Sequence, residues 1–124
     1  MGVQDCISIS TDLDVPKVDP VQETLIVEEK TINELECKAT AYPVPIIQWF
    51  FASDLQNFVE ITDKATKTTE QVQGFSLEVT SKISFGSDGI SRFNSGSYNC
   101  RVTNPEAIID NYINVTVECK YDLL

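Results

Sequence analysis

Two cysteines and one tryptophan, taken in order, constrain this chain more than any other feature. Leu35, Cys37 and Ala39 share one parity in a short stretch, and Glu34, Glu36 and Lys38 share the other. A period of two belongs to a strand with one face on a core and the other in water, so Cys37 is expected to point inward. Trp49 follows twelve residues later, and Cys100 lies in another strand-like stretch. That order is what a disulfide between two sheets needs when an indole fills the space beside it. Tyr98 stands two residues before Cys100, in Asn94-Ser95-Gly96-Ser97-Tyr98-Asn99-Cys100. From there its phenol can bond back to nearby backbone and pin the turn into the strand.

The rest of the chain repeats the same period. Phe75, Leu77, Val79, Ser81, Ile83 and Phe85 alternate with Ser76, Glu78, Thr80, Lys82 and Ser84. Ile113, Val115 and Val117 alternate with Asn114, Thr116 and Glu118. No segment sustains helical spacing, so the chain is expected to be all-β. Leu35, Leu77, Trp49 and Tyr98 are the expected core markers. Gln73-Gly74 reads as a hairpin turn, Gly86 to Gly89 as a loop, and Phe58 to Ile61 as a short additional strand. With 124 residues, 42% of them hydrophobic, there is material for one domain with a core. No apolar run approaches the ~18 residues of a membrane span.

These residues resemble the immunoglobulin superfamily, and within it the intermediate set. The stretch Cys37-Lys38-Ala39-Thr40-Ala41-Tyr42-Pro43-Val44-Pro45-Ile46-Ile47-Gln48-Trp49 is similar to that set's passage from strand B into strand C, with Pro43 and Pro45 its most specific feature. Asn104, four residues after Cys100, matches a common position in the F–G turn, and Pro16, Val27 and Glu29 fall where strands A and A′ are placed. The resemblance covers roughly Pro16 to Cys119. It implies a Greek-key β-sandwich of two antiparallel sheets over residues 16–124, preceded by an extension over residues 1–15. Ala41 and Ala107 stand where the family prefers glycine, and Asn94 replaces an aspartate that would pair with a base. Such a surface pair contributes only about 0–1 kcal/mol.

Cys6 and Cys119 lie outside the family pattern. An even cysteine count in a secreted domain favours a second bridge between them. Cys6-Ile7-Ser8-Ile9-Ser10 alternates like a strand, but the ten steps from Cys6 to Pro16 reach at most about 33–36 Å. Bonds to a neighbouring domain or chain are the alternative, and unpaired thiols the simplest one.

Function is bounded first by exclusion. The chain has no histidine, the commonest general base and metal ligand. Its cysteines lack zinc or redox spacing, and no phosphate loop or nucleophile elbow is present. Asp12, Asp14 and Asp110 carry calcium-type oxygens, but solvated loops carry such residues commonly. No catalytic residue, metal or other cofactor is expected. The formal charge of −10 disfavours nucleic acid and anionic membranes as partners. The resemblance implies recognition of a protein ligand or receptor by an extracellular domain of a cell-surface or secreted protein, and the four cysteines and one sequon favour that side. A structural domain of an intracellular muscle or cytoskeletal protein is the alternative. Strand parity turns Phe50, Arg101 and Tyr112 outward on one sheet, and these are residue types that dominate interfaces. The loop around Pro43 and Pro45 offers a second surface. Asn114-Val115-Thr116 is a glycosylation sequon whose asparagine faces outward. A glycan there, together with the net charge, implies a monomeric isolated domain.

Overall fold

The computed structural model describes residues 15–19 and 23–118. Cys6, Cys119 and the 1–15 extension, Val15 apart, therefore lie outside the described residues. Within them, two sheets face one another. The first contains β1 (Lys17–Asp19), β3 (Glu34–Ala41), β7 (Ser76–Ser84) and β6 (Ala65–Gln73), in the order β1-β3-β7-β6. The second contains β2 (Glu23–Glu28), β9 (Ala107–Glu118), β8 (Gly96–Asn104), β4 (Ile46–Ala52) and β5 (Val59–Glu60), in the order β2-β9-β8-β4-β5. The chain crosses between the sheets repeatedly: β1, β3 and the β6–β7 hairpin lie in one, β2, the β4–β5 pair and the β8–β9 hairpin in the other, a Greek-key arrangement. All pairings are antiparallel except β2 with β9, which is parallel. The chain pairs first with β3 and is then handed to the far edge of the other sheet, where β2 runs alongside β9.

The core is built from the inward parities of both sheets. Leu35, Cys37, Ala39, Val79 and Ile83 come from one sheet, and Ile47, Trp49, Tyr98, Cys100, Val102, Ile113, Val115 and Val117 from the other. Cys37 and Cys100 are bonded, and Trp49 is fully buried with them. The indole Nε1–H donates to Ser81 Oγ at 2.9 Å, so the one polar atom of the large ring is satisfied. The Tyr98 hydroxyl donates to the Asn94 carbonyl at 2.7 Å. Burial pushes that phenol well above its usual range, so it stays protonated and keeps donating. The β8–β9 turn is closed by the Asn104 side chain, whose oxygen accepts from Glu106 N at 2.9 Å and Ala107 N at 3.3 Å.

Two expectations are corrected. Leu77 is only half-buried, opposite Ala41 and Gln71 near the strand's end, and lies outside the core cluster. Phe75 belongs to the β6–β7 turn after Gly74 (φ 57°), not to β7; it is exposed, its ring 5.6 Å from that of Tyr42. Both sit where the strand pair runs past the edge of the sandwich, and correct parity no longer means burial.

Gly96 explains the small residue in the tyrosine motif. Its φ is 151°, and an added Cβ would meet the Ala52 carbonyl at 2.5 Å and Phe51 Cε1 at 2.8 Å. Gly96→Ala therefore forces backbone apart and should cost more than the ~1–3 kcal/mol typical of overpacking. Cys100→Ser should cost about 2–5 kcal/mol, the usual range for losing a native bridge in a small domain. Denaturant unfolding tests both, by the midpoint for Gly96→Ala and by the extrapolated stability for Cys100→Ser, whose denatured chain is also less constrained. Either variant unfolding with the parent would contradict the packing described.

Candidate recognition face

Because Ile47, Trp49, Cys100, Val102 and Ile113 point into the core, their neighbours form the outer face of the five-stranded sheet, and the registers set them in rows. Ile46, Thr103 and Ile108 form the row nearest the β3–β4 turn, followed by Gln48, Arg101 and Asp110. Glu60, Phe50, Asn99 and Tyr112 come next, then Ala52, Ser97, Asn114 and, from β2, Thr24.

The second and third rows lock onto each other. Arg101 Nε donates to Asp110 Oδ1 at 2.7 Å, and a terminal guanidinium nitrogen reaches Oδ2 at 3.4 Å. The same guanidinium lies 5.2 Å from the Phe50 ring centroid. Asn99 Nδ2 donates to Asp110 Oδ1 at 3.1 Å. The Arg101 hydrogen bond, helped by Asn99, holds the Asp110 carboxyl below the usual carboxylate range, and Asp110 in turn raises Arg101. Both side chains of the pair remain about a third exposed, so the ion pair itself adds little stability. Its consequence is orientation: a charged group is held over an aromatic ring at the middle of the face.

At the lower end, Asp54 shapes the connection from β4 to β5. Its Oδ1 accepts from Gln56 N at 3.0 Å and Asn57 N at 2.8 Å, while Leu55 adopts a left-handed φ of 67°. The Asn57 and Gln56 backbone bonds lower the Asp54 pKa to about 2. This turn carries Leu55 and Phe58 over the sheet, where the Phe58 ring meets Tyr112 edge-on at 5.8 Å. Leu55, Phe58, Ser97, Tyr112 and Asn114 line a shallow depression of about 430 Å³.

The structure thus brings Phe50 and Arg101 into contact and leaves Tyr112, in the row of Phe50 but two strands over, engaged by Phe58. Asn114 is half-buried at the end of the face. The proline loop needs correction. Pro45 is buried, and Pro43 is half-buried after a cis Tyr42–Pro43 bond, so Pro45 shapes the turn rather than meeting a partner. Val44 between them is 44% exposed, and Ile46 and Ile108 are 62% and 64% exposed. Sequence reading missed these two isoleucines, although they stood at outward parity counted from Trp49 and Ile113. Apolar residues at water-facing parity were the available signal. They join the proline loop and the sheet face into one surface.

The opposite sheet is different in kind. Lys82 pairs with Glu34 at 3.2 Å and Glu36 at 3.8 Å, and Lys38 with Glu36 at 3.7 Å, all with partly exposed side chains. This is a solvated mixed-charge face. Among the described residues no group of three or more metal-ligating side chains is assembled, and Asp110 is committed to Arg101. No helix among them is long and apolar enough to cross a membrane.

A family model described as "Immunoglobulin domain" matches residues 16–104. No curated protein matches the chain by sequence. Solved structures do match. The N-terminal four Ig domains of Dscam1 isoform 1.9 align with a TM-score of 0.59 at 24% identity, over 94% of this chain and 28% of that one. A chimeric titin Z1Z2 carrying an exogenous decorin peptide aligns at 0.57 and 19%, over 89% and 100%. Dpr2 Ig1-Ig2 in complex with DIP-Theta Ig1-Ig3 aligns at 0.54 and 17%, over 83% and 32%. The chain thus spans about a quarter to a third of the Dscam1 and Dpr2–DIP-Theta chains, and the whole of the titin one. At these identities the likeness is one of fold.

The two perturbed carboxylates give a direct check. Both folded pKa values lie below the ordinary ones, so their contribution to stability is complete above the unfolded values near 4 and is lost as pH falls through the folded values. Carboxyl ¹³C titration of the native domain should place Asp54 near 2 and Asp110 below the usual range. Arg101→Gln should return Asp110 upward without moving Asp54. An Asp110 indifferent to that substitution would show that Arg101 does not hold it.

Proposed function

The chain belongs to the immunoglobulin domain family, and from that membership we propose that it is a non-catalytic protein-recognition module of a cell-surface or secreted protein. The observation that carries the reading is the row Ile46–Thr103–Ile108 with Val44 above it and the held Arg101 below. Exposed apolar side chains beside an oriented arginine and an aromatic ring form the mixture found at interface centres. The fold alone does not decide a function, but Dpr2, a neighbour in fold, has been crystallised with a protein partner. The Cys37–Cys100 bond favours the extracellular side over an intracellular structural role, since disulfides persist in oxidising compartments. Cys6, Cys119 and the Asn114 sequon support the same side. The partner is a protein whose contact surface is largely uncharged where it meets the isoleucines and carries an acceptor or carboxylate for Arg101.

The test is a screen of the secreted domain against candidate ectodomains, followed by point variants. Ile46→Asp and Ile108→Asp should each weaken the captured partner at least tenfold, about 1.4 kcal/mol, with the melting temperature nearly unchanged because both residues are exposed. Thr68→Lys on the opposite sheet should have no effect. Sedimentation at micromolar concentration should show a monomer. Binding lost with Thr68→Lys and kept with Ile46→Asp would overturn the assigned face.

A further inference from the structure

We propose that Asn114 is glycosylated and that the depression beside it seats the first sugar of the chain. The seat is carbohydrate-binding in character, though the carbohydrate is covalently attached. This rests on the extracellular reading above. Asn114 lies directly opposite Ser97 on β8 and opposite Thr24 on β2, so it is inside the sheet rather than at an edge. Its extended strand shows Thr116, the third sequon residue, exposed on the same face. Attachment would occur in the secretory pathway from a lipid-diphosphate-linked oligosaccharide. The Asn114 amide nitrogen forms a bond to sugar C1, the C1–O bond to the diphosphate breaks, the lipid diphosphate leaves with the electron pair, and the transferase accepts the amide proton.

What the structure adds is where that first sugar goes. One side of Asn114 is a wall. Tyr112 precedes it on the same face, the Phe58 ring leans edge-on against Tyr112, and Leu55 lines the same depression. Leu55 is 61% and Phe58 37% exposed, so apolar surface faces water there with no covering side chain described. A pyranose ring presents axial C–H groups on one face and hydroxyls around its rim. Its C–H face suits the aromatic pair, and its rim leaves solvent contact intact, the division of labour aromatic side chains accept at half-wet sites. The depression of about 430 Å³ falls within the ~300–1,000 Å³ range of small-ligand sites. Ser97, 4% exposed at its floor, supplies a hydroxyl. Seating the sugar here also directs the remaining glycan off the lower end of the face. Ile108 is six residues from Asn114 along β9, roughly 20 Å at strand rise, and its row stays open.

The experiment compares three forms secreted from eukaryotic cells: intact glycoprotein, protein trimmed by endoglycosidase to a single N-acetylglucosamine, and Asn114→Gln. The trimmed form should melt with the intact one and roughly 4 °C or more above Asn114→Gln. In a Phe58→Ala background, chosen because Phe58 is partly exposed and the fold should survive, that difference should vanish. The N-acetyl methyl and ring protons of the retained sugar should also show upfield shifts and cross-relaxation to Tyr112. A single sugar that leaves melting unchanged and shows no contact with Tyr112 would overturn the seat. A secreted, disulfide-bonded domain with a bare Asn114 would overturn the modification and leave the extracellular reading standing. A domain retained in the cell with Cys37 and Cys100 reduced would instead refute that reading.

Discussion

Four residues close a ring across the middle of the sandwich, and the fold depends on it. Cys37 lies opposite Ser81 in one sheet, and Trp49 lies opposite Cys100 in the other. The gap between sheets is crossed twice, by the Cys37–Cys100 bond and by the Trp49 Nε1–H to Ser81 Oγ hydrogen bond. Two registers and two crossings therefore define one another. A buried indole N–H left unsatisfied costs about 1–3 kcal/mol, which accounts for a serine at a position where parity alone asks for an apolar residue. The ring ties together β3, β7, β4 and β8, the central strands of both sheets.

The outer face inherits its layout from that ring. With Trp49 and Cys100 fixed inward, Phe50, Asn99 and Arg101 must face out, and a slip of one residue would bury Arg101 and expose the disulfide. The layout of this outer face is thus specified by core chemistry, not by its own weak contacts. The Arg101–Asp110 pair illustrates the division. It contributes little to stability, yet on a sheet whose register is already set it suffices to choose one orientation for the guanidinium against Phe50.

How much of this was legible in the sequence follows from the range of each interaction. Parity, the cysteine–tryptophan order and the tyrosine turn act over a few residues, and they place Cys37, Trp49, Tyr98 and Cys100 correctly. Parity gives the direction of a side chain but not how much structure lies above it, so Leu77 and Phe75 were expected in a core that does not extend to them. The same limit conceals Pro45, which is buried in a turn where polar loops usually face water. The parallel β2–β9 pair is a contact between opposite ends of the chain, and no local pattern announces it. Leu55 and Phe58 sit in a connection without periodicity, and their place over Tyr112 depends on the turn that Asp54 organises. Ile46 and Ile108 were readable, since they break the parity rule in the direction that signals a partner.

The edges of the two sheets argue that contact is made through a face. An unpaired edge of regular backbone invites another strand, and each edge here is blunted. β1 has three residues and β5 two. β6 is longer, but its pairing is interrupted by a register shift between Gln71 and Gln73, and Lys67 and Glu70 are carried along it; bulges and charges are the usual means of discouraging edge pairing. β2 begins and ends on glutamates, Glu23 and Glu28. With a formal charge of −10 on every copy, strand addition between copies meets repulsion as well as poor geometry. Exposed apolar side chains also occur elsewhere, as at Phe75 and Phe93, but on the outer face of the five-stranded sheet they include the Ile46–Ile108 row with Val44 and, at the far end, the Leu55 and Phe58 side chains of the depression beside Tyr112. A sugar occupying the second would leave the first, at the B–C and F–G end of the sandwich, as the place for a protein.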